Sequence, residues 1–144
     1  MRGILFRGKS VETNEWVYGS YILEKYGNTP YICYFEYGTF VNIKQVEVIP
    51  ETVGQFTGLT DMNGKKIFEG DIVSTKYKLG RGHYYVFEVY YNENLCHFAL
   101  TINRGSYTKN KQYDWLELTS LKANKVEAIG NIHDNIELLK VNVE

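Results

Sequence analysis

The stretch that decides the fold is Val53 to Val73, VGQFTGLTDMNGKKIFEGDIV. Asn63-Gly64 is a tight-turn dipeptide because both residues tolerate positive φ, so Thr57–Met62 and Lys65–Phe68 are expected to pair across it. Glu69-Gly70-Asp71 then turns the chain into Ile72-Val73. Two turn signals around short β-branched and aromatic runs are the signature of antiparallel strands.

The same pattern extends in both directions. Apolar residues recur at spacing two or in short runs separated by Gly, Asn and Asp, which predicts strands at Ile4–Arg7, Trp16–Leu23, Thr29–Glu36, Thr39–Asn42 and Val46–Ile49 before the stretch. After it come Asp71–Tyr77, Tyr84–Tyr91, Cys96–Ile102, Asp114–Leu118 and Val126–Ile132. Gly8-Lys9-Ser10 reads as turn material, Tyr26-Gly27-Asn28 as a hairpin, and Tyr91-Asn92-Glu93-Asn94-Leu95 as a second, Asn-rich one. The segment from Glu51 to Asp61 is either an irregular strand or an extended connection. Helix is scarce: Leu118–Lys125 suits one turn, and Asp134 with Glu137 has the spacing of a capping box that would open a short C-terminal helix. The fold class is therefore all-β with minor α.

With 144 residues, the chain is the size of one domain and buries enough surface to fold without staples. Pro50 marks a change of subdomain, dividing 1–50 from 51–144. Cys33 and Cys96 match no metal or redox spacing and read as reduced thiols. The apolar run after Met1 is too short for a signal peptide and no stretch of eighteen apolar residues occurs, so a cytoplasmic protein with no membrane association is expected.

Charge is unevenly spread. The formal net charge is −1, yet between Ser74 and Gln112 six cations stand against Glu88 and Glu93, a local balance of +4 that leaves −5 elsewhere. Lys76, Lys78 and Arg81 lead into Tyr84, while Arg104, Tyr107, Lys109 and Lys111 form a second cluster. Cations for phosphates and tyrosines for bases are what binding of single-stranded nucleic acid requires, so these eight residues are the candidate nucleic-acid site. The competing reading makes the tyrosines wall residues and the lysines guards of strand edges.

Catalytic signals are weak. Asp61, Glu69 and Asp71 could offer oxygen ligands to Mg²⁺ or Ca²⁺, but each adjoins a turn, where carboxylates commonly accept backbone N–H groups. An EF-hand counted from Asp61 fails, with Lys66 at position six and Ile72 at twelve. His83, His97 and His133 lie at no metal spacing, and Cys96 with His97, read as strand neighbours, would point to opposite faces. No nucleophile elbow or phosphate loop occurs. The expectation is a non-enzyme without catalytic residues, metal or cofactor.

Phe6-Arg7-Gly8, Gln55 to Asp61, Asn63 to Val73 and Ile129 to Asn135 together closely resemble the YopX-type proteins of bacterial phages and prophages. The resemblance spans nearly the whole chain, departing at Ile136, where relatives often carry proline. It implies a small β-rich phage or prophage product in the host cytoplasm with an SH3-type barrel in residues 51–144 and no established activity. It transfers no catalytic residue. The partner expected is nucleic acid at the basic segments or, alternatively, a host or phage protein contacted by an oligomeric module through exposed aromatics and strand edges.

Overall fold

The computed structural model describes residues 3–75, 85–101, 116–117 and 125–143. Eleven strands form two antiparallel sheets: β1 (Phe6–Lys9), β2 (Trp16–Leu23), β3 (Pro30–Tyr37), β4 (Val41–Glu47), β5 (Gly54–Thr60) and β6 (Lys66–Phe68) in the order β4-β3-β2-β1-β5-β6, and β7 (Asp71–Thr75), β8 (Val86–Asn92), β9 (His97–Thr101), β10 (Leu116–Glu117) and β11 (Val126–Asn131) in the order β10-β9-β8-β7-β11. Among the described residues a 3₁₀ turn at Pro50–Thr52 and a 3₁₀ helix at Ile136–Val143 accompany the strands. The chain divides into two compact units, Met1–Gly58 and Leu59–Glu144.

In the first unit β1 to β4 form a meander, and β5 begins beside β1 with Phe6 opposite Gln55 and Arg7 opposite Gly54. One face buries Ile32 and Val48 and pairs the Phe6 and Tyr21 rings 5.4 Å apart. Gly8 and Lys9 belong to β1 rather than to a turn. A Cβ at position 8 would meet Val48 Cβ at 2.9 Å, so glycine is what lets the β1 backbone approach Val48. Residues 41 to 47 form one strand where two were expected, because Asn42, Lys44 and Gln45 are polar side chains on an exposed edge strand and not a break. Lys44 pairs with Glu36 on β3 at 3.2 Å.

In the second unit the middle strands are apolar on both faces. Val73, Phe87, Val89, Leu100, Val126 and Ala128 pack on one side with Ile67 of β6 and with Leu59. Ile72 and Val86 pack on the other under Leu139 of the 3₁₀ helix, with Ile132 and Leu138 beside them. Fully burying each such Ile, Val or Leu contributes about 1.5–3 kcal/mol, so the helix is held by its apolar contacts more than by its own propensity. The Asp134 carboxylate accepts from Asn131 Nδ2 at 3.0 Å, and the first helical turn is closed by Leu138 N–H on Asn135 O.

The C-terminal sheet is open among the described residues, ending at β10 on one side and β11 on the other, so these strands do not close the SH3-type barrel anticipated for this region. A closed barrel would need its terminal strands to pair, and β10 contributes only Leu116 and Glu117.

Candidate functional site

The carboxylates that looked most like chemistry are committed to the backbone. Asp61 follows β5 and is buried. Its Oδ1 accepts the N–H of Asn63 at 2.8 Å and of Lys65 at 2.9 Å, and its Oδ2 accepts the N–H of Ala128 on β11 at 3.0 Å. Burial pushes its carboxyl up, but the three N–H groups and the nearby Lys65 charge outweigh that and hold it below its ordinary value. Gly64 supplies the positive φ (79°) that the turn needs. Asp71 is likewise buried and accepts the Phe68 N–H at 2.8 Å, closing the turn around Gly70, whose φ is 83°. Turn structure, the simpler of the two readings of this motif, is what the hydrogen bonds describe.

The segment Ile129 to Asn135 is built the same way. Asn131 Oδ1 accepts the N–H groups of His133 and Asp134, both at 3.0 Å. Asn135 lies over Gly130, where a Cβ would come within 2.6 Å of its Oδ1. His97 Nδ1 lies 3.1 Å from Phe98 O. Cys96 is not a strand residue: it sits in the turn before β9 with φ 54° and directs its Sγ to Glu93 O at 3.5 Å. Among the described residues no three His, Cys, Asp or Glu side chains gather at metal-ligating range, and no helix is long and apolar enough to cross a membrane.

All eight residues of the basic and aromatic site, Lys76, Lys78, Arg81, Tyr84, Arg104, Tyr107, Lys109 and Lys111, lie outside the described residues, as do His83 and Trp115. Their flanking strands are described. Thr75 at the end of β7 and Tyr85 before β8 are joined by the Thr75 N–H on Tyr85 O at 3.0 Å and the Tyr85 N–H on Thr75 Oγ1 at 3.1 Å.

One exposed feature of the described residues is one that the strand patterns did not single out. Residues opposite each other on paired strands share a face. Phe35 faces Ile43 and Tyr37 faces Val41, while Ile22 faces Tyr31 and Ser20 faces Cys33. Together with Tyr18, two residues before Ser20, these make one continuous aromatic and aliphatic face across β2, β3 and β4. Tyr18, Ile22, Phe35, Tyr37, Val41 and Ile43 remain between 47% (Tyr18) and 78% (Tyr37) exposed, while Tyr31 is half-buried. Glu36 and Lys44, which pair with each other, belong to the opposite face. At the β1 end, Arg7 lies with its guanidinium carbon 4.6 Å from the centre of the Trp16 ring, a cation–π contact. A groove of about 480 Å³ runs along the face, lined by Leu5, Tyr18, Cys33, Phe35, Tyr37 and Ile43 among others.

The signal that could have found this face is parity. In β3, Ile32 and Tyr34 alternate with Tyr31, Cys33, Phe35 and Tyr37, so the strand is apolar at both parities for most of its length. Such a strand is covered on both sides or leaves one apolar side open.

The sequence matches the family model described as "YopX protein" over residues 5–140. The fold is similar to that of the crystal structure of protein EF1440 from Enterococcus faecalis, with a TM-score of 0.56 and 21% identity over 96% of this chain and 99% of that one. Among curated proteins none matches.

Proposed function

This chain belongs to the YopX family, and on that premise we propose that it is a non-enzymatic phage or prophage accessory protein of the host cytoplasm that acts by macromolecular binding. The observation that carries the reading is the open aromatic face of β2, β3 and β4. Tyr18, Ile22, Phe35, Tyr37, Val41 and Ile43 form an apolar surface without a charge among them, and contiguous exposed patches of this kind mark interaction sites. The carboxylates nearest to forming a reactive cluster, Asp61 and Asp71, hold turns instead.

A second reading, nucleic-acid binding by the basic segments, is favoured by the strand order. β7 and β9 flank β8 and both run antiparallel to it, so the chain leaves both at the same end of the sheet, after Thr75 toward 76–82 and after Thr101 toward 104–111. We read the meander from β7 to β10, with β11 beside β7, as an opened form of an SH3-type barrel. On that reading the two basic segments bring the cations and tyrosines that binding of a single strand requires.

A photo-crosslinking amino acid in place of Tyr37, compared in living cells with one in place of the exposed Lys66 on β6, tests the binding reading. Adducts to a macromolecule at position 37 and not at 66 are expected. Equal or absent adducts at both positions would refute the face as the working surface.

A further inference from the structure

Resting on that binding reading, we infer that the occupant of the β2–β4 face is a second copy of this chain, docked about a two-fold axis with the aromatic face of each copy on the other. Size supports this first. An exposed aromatic residue presents about 150–250 Å²; with the observed exposures of Tyr18, Ile22, Phe35, Tyr37, Val41 and Ile43 the face offers about 600 Å² of apolar surface. A standard interface needs about 800 Å² from each partner, toward which the exposed Ser20 and Gln45 and the half-buried Tyr31 and Cys33 of the same face add. The face lies at the upper end of the largest patch that a typical monomer leaves open, about 300–600 Å².

Its chemistry suits a copy of itself. A two-fold interface brings the same patch together from both sides, so the patch must be complementary to itself. Any like charge near its centre would meet its own image, and the charges of this side stand at its margins: Arg7 and Lys9 on β1 lie against the Trp16 ring and Glu47 stands at the far end of β4, while Glu36 and Lys44 project from the other side of the sheet. The relief is self-complementary too. Protruding rings, Tyr37 foremost, stand beside a groove of about 480 Å³, so a ring from one copy can fill the groove of the other and receive its counterpart in return. A formal net charge of −1 leaves little repulsion between copies. The face also extends to β4, the edge of its sheet, so no neighbouring strand of the same sheet obstructs the approach.

Sedimentation of the full chain tests this directly. The wild type should sediment at twice its 16.8 kDa mass, dissociating on dilution. The double variant F35E/I43E places two carboxylates per copy on the axis and should sediment as a monomer, with dimerisation weakened more than about 100-fold, each tenfold being 1.4 kcal/mol. K66E changes the net charge by the same amount away from the face and should behave as wild type. If F35E/I43E fails to show the wild-type far-UV spectrum, the milder Tyr37→Ser variant, at a position mostly in solvent, decides in its place with an expected weakening of about tenfold. A wild type that is monomeric at every soluble concentration overturns the inference, and so does a correctly folded face variant that dimerises as well as wild type. A monomer whose position-37 crosslinker captures a different protein refutes self-docking and leaves the binding reading standing. A monomer that forms no adduct removes both.

Discussion

Replacing Asp61 with asparagine leaves one carbonyl oxygen where a carboxylate now serves three backbone N–H groups, those of Asn63, Lys65 and Ala128. If the amide oxygen keeps the turn, its NH₂ group faces the Ala128 N–H, donor against donor, at a position that is buried. Losing that charge-assisted bond costs about 1.5–3 kcal/mol, and weakening the two turn bonds from charged to neutral acceptor adds about 0.5 kcal/mol each. The expected loss is about 3 kcal/mol, a large part of the roughly 5–15 kcal/mol that holds a domain together. Urea unfolding followed by far-UV circular dichroism should show the midpoint falling by roughly 1–2 M. The pH dependence supplies the second check. Because the folded carboxyl sits below its unfolded value, the wild type's advantage over D61N should be fully present above about pH 4, the unfolded aspartate range, and should shrink as pH falls through the lower folded value. A loss under about 1 kcal/mol at neutral pH, or an advantage that persists undiminished after the wild type has bound its proton, would refute the account of Asp61 as a three-way backbone anchor.

Gly19→Ala should destabilise the first unit by at least about 1–3 kcal/mol, since the new Cβ would collide with the Cys33 carbonyl and crowd Ile32 Cγ2 where β2 pairs with β3. Thermal melting of the variant checks it, and an unchanged melting temperature would mean the two strands have room that their register denies. Replacing Lys78, Arg81, Lys109 and Lys111 by glutamine should lower affinity for single-stranded DNA or RNA and flatten the salt dependence by up to about four phosphate contacts; equal affinity of wild type and variant across a salt titration would rule the basic segments out as the contact.

What could be read from the sequence was what is settled locally. Asn63-Gly64 and Glu69-Gly70-Asp71 turn as expected because their cause, positive φ at Gly64 and Gly70 together with a nearby carboxylate, lies within a few residues. The β2 and β3 strands announce themselves through β-branched and aromatic runs, and β2 has the bounds its pattern predicts. Edge strand β4 was harder, because a strand exposed on most of its length lacks the apolar alternation that marks a buried one. The pairing of β1 with β5 joins segments nearly fifty residues apart and leaves no local trace. The open aromatic face was invisible for a related reason: β3 is apolar at both parities, and only the tertiary arrangement selects which side is covered by Ile32 and Val48 and which remains open with Phe35 and Tyr37. The basic segments were legible as composition, and composition does not place them on a surface.

The reach of Asp61 also has a bearing on the order in which this chain can mature during synthesis. Its Oδ1 contacts lie within four residues, but its Oδ2 waits for the amide of Ala128, 67 positions downstream, and β7 waits for β11 to cover its open side. A ribosome that has released residues 1–58 has already released every strand of the N-terminal meander, whereas the second unit cannot complete its sheet until β11, ending at Asn131, has emerged. Nascent chains arrested before β11 would therefore carry a finished first half and a second half with an uncapped carboxylate and an unpaired strand, the state in which a chaperone or a protease would find its substrate.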